Sequence, residues 1–240
     1  MLQPKEGVGV HTDDLLLSVA EQLKTPLTTI ARQAELGQMT GRPELIHAQA
    51  ISSQAMAALT LVDCYLLGLE LQREQSQLEL EPVSVSSMLV DTAHDLSNYA
   101  AHYGVQLELH MAGRYGPVMS HSRGLRAALV SLGFSLIEAE ASKNNRRPRR
   151  VTLGLHRTPH GIVTGVYGEY PTLSADGWRA ALALAGHARQ PLTAIDGSSA
   201  GLFVADTILR SMNSRLRVGK YQHQRGLAAT LQPSRQLRLV

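Results

Sequence analysis

Apolar residues recur every three or four positions through the first third of the chain. Over residues 12–37 this spacing predicts an amphipathic helix. The apolar positions of that helix are Leu16, Val19, Leu23, Leu27, Ile30 and Ala34. Pro26 lies in the helix interior, where it cannot donate to the carbonyl of Gln22, so we expect a bend at this point.

A second, longer helix is predicted over residues 44–75, after the interruption at Gly41-Arg-Pro43. Its apolar seam alternates steps of three and four, as in a heptad repeat. The seam residues are Leu45, Ala48, Ser52, Ala55, Leu59, Val62, Leu66 and Leu69. Two such helices joined by a short loop would form an antiparallel hairpin with one apolar stripe uncovered. Pairing two copies would cover that stripe, so we expect a homodimeric four-helix bundle.

The pattern changes after Glu79-Leu-Glu-Pro82, where helices and alternating strands begin to follow one another. Helices are predicted over residues 83–103, 120–142, 174–188 and 199–212, and strands over 105–110, 150–157, 161–167, 215–218 and 226–231. Because hairpins recur among these strands, the expected class is α+β, with a mostly antiparallel sheet covered by helices on one face. The predicted division is residues 1–80 for the helical hairpin and 81–240 for the sandwich.

Composition restricts the classes of protein that remain. Hydrophobic residues make up 44% of the chain and aromatic residues 4%, so the core must consist mainly of Leu, Ala, Val and Ile. The single Cys64 excludes an internal disulfide and a cysteine-rich metal site, and the histidines form no recognised metal motif. We see no signal peptide and no apolar run near the ~20 residues of a membrane helix, and therefore expect a cytoplasmic protein.

Positive charge is concentrated in one segment, Lys143-Asn-Asn-Arg-Arg-Pro-Arg-Arg150, while the net charge of the chain is only +3. Such a run fits an anionic partner, but it also fits a solvated loop between a helix and a strand. No aromatic stacking residues or DNA-binding motif accompany it, so nucleic acid is not an expected partner.

The segment Ser18-Val-Ala-Glu-Gln-Leu-Lys-Thr-Pro-Leu27 resembles the His-Glu-Leu-Arg-Thr-Pro-Leu box of bacterial sensor histidine kinases. The resemblance extends to later stretches of the chain: Leu61–Glu70 with Leu78–Ser86, Gly104–Leu109, and Ser199–Met212 with Arg215–Val218. It implies a dimerisation and phosphotransfer hairpin followed by a Bergerat-type ATP-binding α/β sandwich.

The sequence differs from this family at the positions that carry out phosphotransfer and nucleotide binding. Glu21 occupies the position of the phosphoacceptor histidine, and Gln22 replaces the acid that activates it. Glu21 could be a solvated surface charge, a fixed negative charge that takes the place of a phosphohistidine in docking, or a nucleophile forming an acyl phosphate. Lys24, Thr25 and Pro26 remain candidate partner contacts.

The nucleotide-binding boxes are also altered. The family's magnesium-holding asparagine corresponds to Ser135, with Ser131 nearby, and its Asp-x-Gly-x-Gly box corresponds to a stretch in which Tyr167 and Gly168 stand. The second glycine box keeps only Gly201, and a helix over residues 176–188 replaces the flexible lid. We therefore predict that ATP and magnesium binding are lost and that the chain holds no metal.

These features predict a catalytically inactive histidine-kinase-like protein. It would act as a dimeric adaptor or regulator in bacterial two-component signalling, binding a response regulator receiver or a true histidine kinase. One alternative is a phosphotransferase that shuttles phosphate through a histidine. Another is a small-molecule sensor that reuses the remnant nucleotide cavity.

Overall fold

The computed structural model describes residues 23–24, 26–37, 45–74, 79–143, 148–184, 195 and 200–234. Three residues of the predicted partner site, Glu21, Gln22 and Thr25, lie outside this set. So do residues 144–147 of the basic segment and residues 185–188 of the predicted fourth sandwich helix.

Two helices form the N-terminal part of the chain. Helix α1 covers residues 26–37, with helical backbone also at residues 23–24, and α2 spans Leu45–Glu74. The bounds of α2 agree with the apolar periodicity. The face that α2 buries differs, however, from the predicted seam. Its buried apolar side chains are Ala57, Ala58, Leu61, Cys64, Tyr65, Leu67 and Leu71, whereas Leu59 and Leu66 of the seam are exposed.

The remaining elements form two sheets and four helices. The first part contains β1 (Glu81–Val83), α3 (Val85–His102), β2 (Gln106–Met111), β3 (Val118–Ser120) and α4 (Ser122–Ala141). The second part contains β4 (Arg150–Thr158), β5 (Gly161–Gly168), α5 (Ala175–Leu184), α6 (Ala200–Ser211), β6 (Arg217–Tyr221) and β7 (Gln224–Leu231).

The main sheet has the strand order β2-β4-β5-β7-β6. Strand β2 pairs parallel with β4, and the other neighbours pair antiparallel, as the α+β prediction required. The short strands β1 and β3 pair with each other in a separate two-stranded sheet. Periodicity did not predict these two strands, because three residues are too few to show an alternation.

Helix α4 lies at the centre of the molecule. Almost every residue from Gly124 to Glu140 is buried, since the sheet covers one side of the helix and α3, α6 and α2 pack around the rest. The His121 side chain caps its first turn by accepting a hydrogen bond from the Gly124 amide at 3.0 Å. Residues of α2 and of the sandwich belong to one continuous apolar core.

Helix α2 packs directly on α6 and, less extensively, on α4 and α3. Gly68 lies at this contact, where an added Cβ would be in ordinary van der Waals contact, 3.6 Å from Val204 and 4.0 Å from Ile208 of α6. Away from α6, helix α2 carries three exposed apolar side chains, Met56, Leu59 and Leu66, which are 61%, 59% and 49% exposed. Leu59 and Leu66 face outward, and Met56 stands at the edge toward α3 and α4. We call these three residues the α2 outer row.

The segment Ala50–Leu71 of α2 is 22 residues long with a mean hydropathy of 1.4, which is enough to cross a membrane by length and composition. The expectation that no apolar run approaches this length was therefore wrong. One such helix is weak grounds for a membrane span, because a core helix of a soluble protein meets the same criterion.

Candidate functional site

The helices α4 and α6 carry the positions that correspond to the family's magnesium ligand and second glycine box. Ser131, Ser135 and Gly201 do come together at the contact between these helices, and all three are buried. A Cβ on Gly201 would lie 2.5 Å from the Ser131 carbonyl oxygen and 2.5 Å from Ser135 Oγ. The two helices are therefore in direct contact, and the glycine serves close helix packing.

The ring of Tyr170 packs against the last residue of β5. Tyr170 is fully buried and packs over Gly168, where an added Cβ would lie 2.7 Å from the ring. Its hydroxyl donates to the carbonyl of Leu136 on α4 at 2.8 Å. Burial and the neighbouring Glu140 raise the pKa of Tyr170 well above its ordinary value, so this hydroxyl stays protonated. Tyr170 thus ties the end of β5 to α4.

A buried ion pair lies beside this ring at the C-terminal end of α4. Lys143 Nζ is 2.5 Å from Glu140 Oε2, donates to the Glu169 carbonyl at 2.6 Å, and lies 4.0 Å from the centre of the Tyr170 ring. Since Glu140 is only 1% exposed, the lysine supplies the counter-charge that a buried carboxylate requires.

Tyr167 is not part of this constellation. Its pairing with Thr152 of β4 places it on the outer face of the main sheet, away from Ser135 and Gly201. There it stacks on Tyr221 with ring centres 5.3 Å apart, in a small separate apolar cluster. Burial raises the pKa of the Tyr167 hydroxyl. The structure therefore brings Gly168 near α4 but places Tyr167 elsewhere.

Helix α5 stands where the sequence predicted a replacement for the lid. Trp178 of α5 is buried, donates from Nε1 to the Leu216 carbonyl at 3.1 Å, and stacks on Phe203 of α6 with ring centres 5.9 Å apart. These contacts join α5 both to α6 and to the segment that leads into β6. The described part of the predicted lid replacement, residues 176–184, is therefore a helix packed on its neighbours.

Glu138, a buried residue in the last turn of α4, is not among the residues that the sequence predicted for the site. Tyr99 of α3 donates a 2.5 Å hydrogen bond to its Oε1, and the Tyr99 ring packs edge-on against Phe134. Burial raises the pKa of Glu138 to about 7, although the Tyr99 hydrogen bond acts to lower it. The available sequence signal was a pair of carboxylates, Glu138 and Glu140, after the mostly apolar stretch that runs from residue 127 to 137.

Around the altered phosphoacceptor box, the structure describes Leu23, Lys24 and Pro26. Leu23 packs against the main apolar core, Pro26 is buried, and Lys24 is exposed. Lys24 is therefore accessible on the surface, whereas Pro26 contributes to packing. Both residues have helical backbone, in agreement with the helix predicted over residues 12–37.

The residues at the α4–α6 contact do not fit a magnesium nucleotide. A metal-bound triphosphate needs oxygen ligands facing an opening and backbone amides that can approach the phosphates. In the described part of the chain, Ser135 instead faces the Gly201 backbone, and Tyr170 covers Gly168. Within the same residues no group of three or more His, Cys, Asp or Glu side chains could hold a metal ion.

No family model and no curated protein matches the sequence of this chain. Solved structures do match its fold. The Acinetobacter baumannii histidine kinase AdeS aligns with a TM-score of 0.52 at 14% identity, over 88% of this chain and 97% of that one. Full-length ShkA in complex with AMPPNP gives a TM-score of 0.53 at 15% identity, over 92% of this chain but 43% of ShkA.

A structure described as a bacterial phosphotransferase also aligns, with a TM-score of 0.50 at 11% identity, over 90% of this chain and 93% of that one. Identities this low establish similarity of fold. Together with the five-stranded sheet and its layer of helices, these alignments show that the chain has a histidine-kinase-like fold, in which helices precede an ATPase-type α/β sandwich.

Proposed function

We propose that the chain is a two-component signalling protein without kinase activity. It acts as a dimeric adaptor or regulator in the cytoplasm, binding a response regulator receiver or a true histidine kinase. The histidine-kinase-like fold supports the signalling class. The binding role follows from what that fold lacks in this chain.

The observation that carries the proposal is the contact between α4 and α6. Gly201 rests against Ser131 and Ser135, so phosphate has no space between these helices in the described residues. Tyr170 and Trp178 reinforce this packing from two sides, because one ties β5 to α4 and the other ties α5 to α6. A chain without a nucleotide cradle has no phosphate donor of its own.

The altered box supports a recognition role. With Glu21 at the acceptor position, the sequence carries a permanent negative charge where the family has a side chain that becomes phosphorylated. The exposed Lys24 lies three residues away and provides a cation for a partner's acidic groups. A partner can thus be recognised by charge without any phosphate being moved.

The homodimer is supported by the α2 outer row. Three large apolar side chains exposed on one helix face form a stripe of the kind that a second copy covers in a four-helix bundle. Helix α2 would then have the sandwich on one side and the partner subunit on the other.

Two measurements test the proposal. Titration calorimetry with ATP and magnesium should give no heat of binding, whereas an intact histidine kinase serves as the positive control. Interaction measurements against a panel of purified receivers and kinases should then identify a partner whose binding weakens in Glu21→Lys. ATP binding with hydrolysis, or failure of every receiver and kinase to bind, would refute the adaptor role.

A phosphotransferase shuttle is the second candidate, and the similarity to the bacterial phosphotransferase favours it, since it covers nearly all of both chains. Incubation with a phosphorylated receiver distinguishes the two candidates. Acid-labile phosphate appearing on a histidine of this chain would establish the shuttle, and absence of transfer would exclude it.

A further inference from the structure

A groove of about 860 Å³ runs between α2 on one side and α3 and α4 on the other. Ser131, Ser135 and Gly201 are not among the described residues that line it. Ala50 and Met56 line it on α2, His102 on α3 and Arg123 on α4. We call it the interhelical groove. Its volume falls within the roughly 300–1,000 Å³ of small-molecule sites.

The floor of the interhelical groove is apolar. Leu67 of α2, Val130 and Phe134 of α4 and the ring of Tyr99 contribute to it, and all four are buried. Cys64 also lies on this floor, and burial raises its pKa to about 11, so the thiol stays protonated and behaves as a small apolar group. A ligand in the groove would bury an apolar body against these side chains.

The α4 wall of the groove carries two guanidinium groups. Arg126 is held in place by a two-pronged hydrogen bond to Asp95 of α3, with both distances 2.9 Å. Arg123, one turn earlier, has no ion-pair partner among the residues that the structure describes. Arg126 is thus oriented and its charge is balanced by Asp95, while the N–H donors of the Arg123 guanidinium are available to a ligand.

The other charged group of the groove lies on the opposite side. Asp63 projects from the α2 wall and, in the described part of the chain, also has no ion-pair partner. His94 and His102 on the α3 wall add further nitrogen groups to the lining. The groove is therefore asymmetric: Arg123 lies on the α4 side, Asp63 lies on the α2 side, and the apolar floor separates them.

We propose that the interhelical groove binds an amphipathic organic anion, in which an apolar ring system or chain carries a carboxylate, sulfonate or phosphate group. The apolar body lies on the floor, and the anionic group receives hydrogen bonds from Arg123. This proposal does not rest on Glu21 and does not depend on the adaptor role.

A pair of fluorescent probes tests the proposal on the full chain. The first is 8-anilinonaphthalene-1-sulfonate, and the second is N-phenyl-1-naphthylamine, which has the same rings without the sulfonate. We expect saturable binding of the sulfonate probe at one site per chain. Arg123→Gln should weaken this binding roughly tenfold and leave the affinity for the neutral probe within about twofold. Equal effects on both probes, or no effect on either, would overturn the proposal.

Two further variants locate the site. Thr60→Trp places a large ring in the groove at a half-buried position and should abolish binding of both probes. Leu66→Ser changes the α2 outer row and should leave both affinities unchanged. Arg179→Gln on α5, where the arginine is exposed and bonded only to its neighbour Asp176, is the matched control for loss of one positive charge. Loss of binding in Leu66→Ser, or retention in Thr60→Trp, would place the probe elsewhere and refute the assignment.

Discussion

Two regions of a histidine-kinase-like fold would be expected to bind a ligand or a protein. One is the contact between α4 and α6, and the other is the outward side of α2. The first is closed: Gly201 lies against Ser131 and Ser135 without an intervening space. The second is open, with the three apolar side chains of the α2 outer row exposed. Among the described residues, helix packing leaves no room for a ligand in one region, and an apolar surface is exposed in the other.

The largest expected effect concerns the closed region. Gly201→Ala forces a Cβ to within 2.5 Å of a carbonyl oxygen and a hydroxyl, so we expect the free energy of unfolding to fall by about 3 kcal/mol. Urea unfolding followed by circular dichroism measures this change. Gly116→Ala is the control, because no atom lies near its added Cβ, and it should change stability by less than about 0.5 kcal/mol. An unchanged Gly201→Ala would mean that the helices leave room for a ligand.

The pH dependence of stability tests the interior of the same helix. The folded pKa of Glu138, about 7, lies above its ordinary value of 4.5, so the native state binds more protons between these pH values. The free energy of unfolding should therefore fall as pH rises from about 4.5 to 7, by about 2–3 kcal/mol in total.

Glu138→Gln should remove that fall, because the amide cannot ionise. Asp176→Asn, at an exposed carboxyl on α5, should retain it. A slope in Glu138→Gln equal to that of the unaltered chain would show that another group is responsible.

The open region is tested by Leu66→Asp, which places a charge in the α2 outer row. If a second copy covers this row, the dimer dissociation constant should rise roughly thirtyfold, equivalent to about 2 kcal/mol. Analytical ultracentrifugation measures it. Leu184→Asp on α5 is matched in exposure, at 48% against 49%, and should leave the dimer intact. Dissociation by both variants, or by neither, would argue against this row as the interface.

The smallest expected effect concerns the hydrogen bond that anchors α5. Trp178→Phe retains an aromatic ring against Phe203 but removes the donor to the Leu216 carbonyl. Loss of this bond should lower the free energy of unfolding by about 1 kcal/mol. Thermal unfolding detects such a change, and an unaltered midpoint would indicate that α5 is held by packing alone.

The sequence predicted the class of the fold and the bounds of α2, because heptad spacing over many turns is a strong signal. It did not predict which side of α2 would be buried. Both sides carry apolar residues: Ala57 and Cys64 are buried and Gly68 faces α6, while the larger Leu59 and Leu66 face outward. That choice depends on the shape of a surface formed by residues more than a hundred positions later in the chain.

For the candidate site, the sequence placed Ser135 and Gly201 in the same remnant nucleotide site. It did not predict that the two helices carrying them would be in direct contact. It grouped Tyr167 with them because it is adjacent to Gly168 in the chain. In a strand, however, neighbouring side chains point to opposite faces, and the pairing with Thr152 decides which face each one takes. Glu138 and its bond to Tyr99 depend on the packing of α3 against α4, which no local pattern shows.

The packing of α2 on α6 has a consequence for how the chain holds together. Gly68 of α2 faces Val204 and Ile208 of α6, and the helices and the sandwich share one apolar interior across the predicted boundary at residue 80. A fragment cut at that point would present bare hydrocarbon to water on both halves. The chain should therefore melt as a single cooperative unit, and neither half should be soluble when expressed alone.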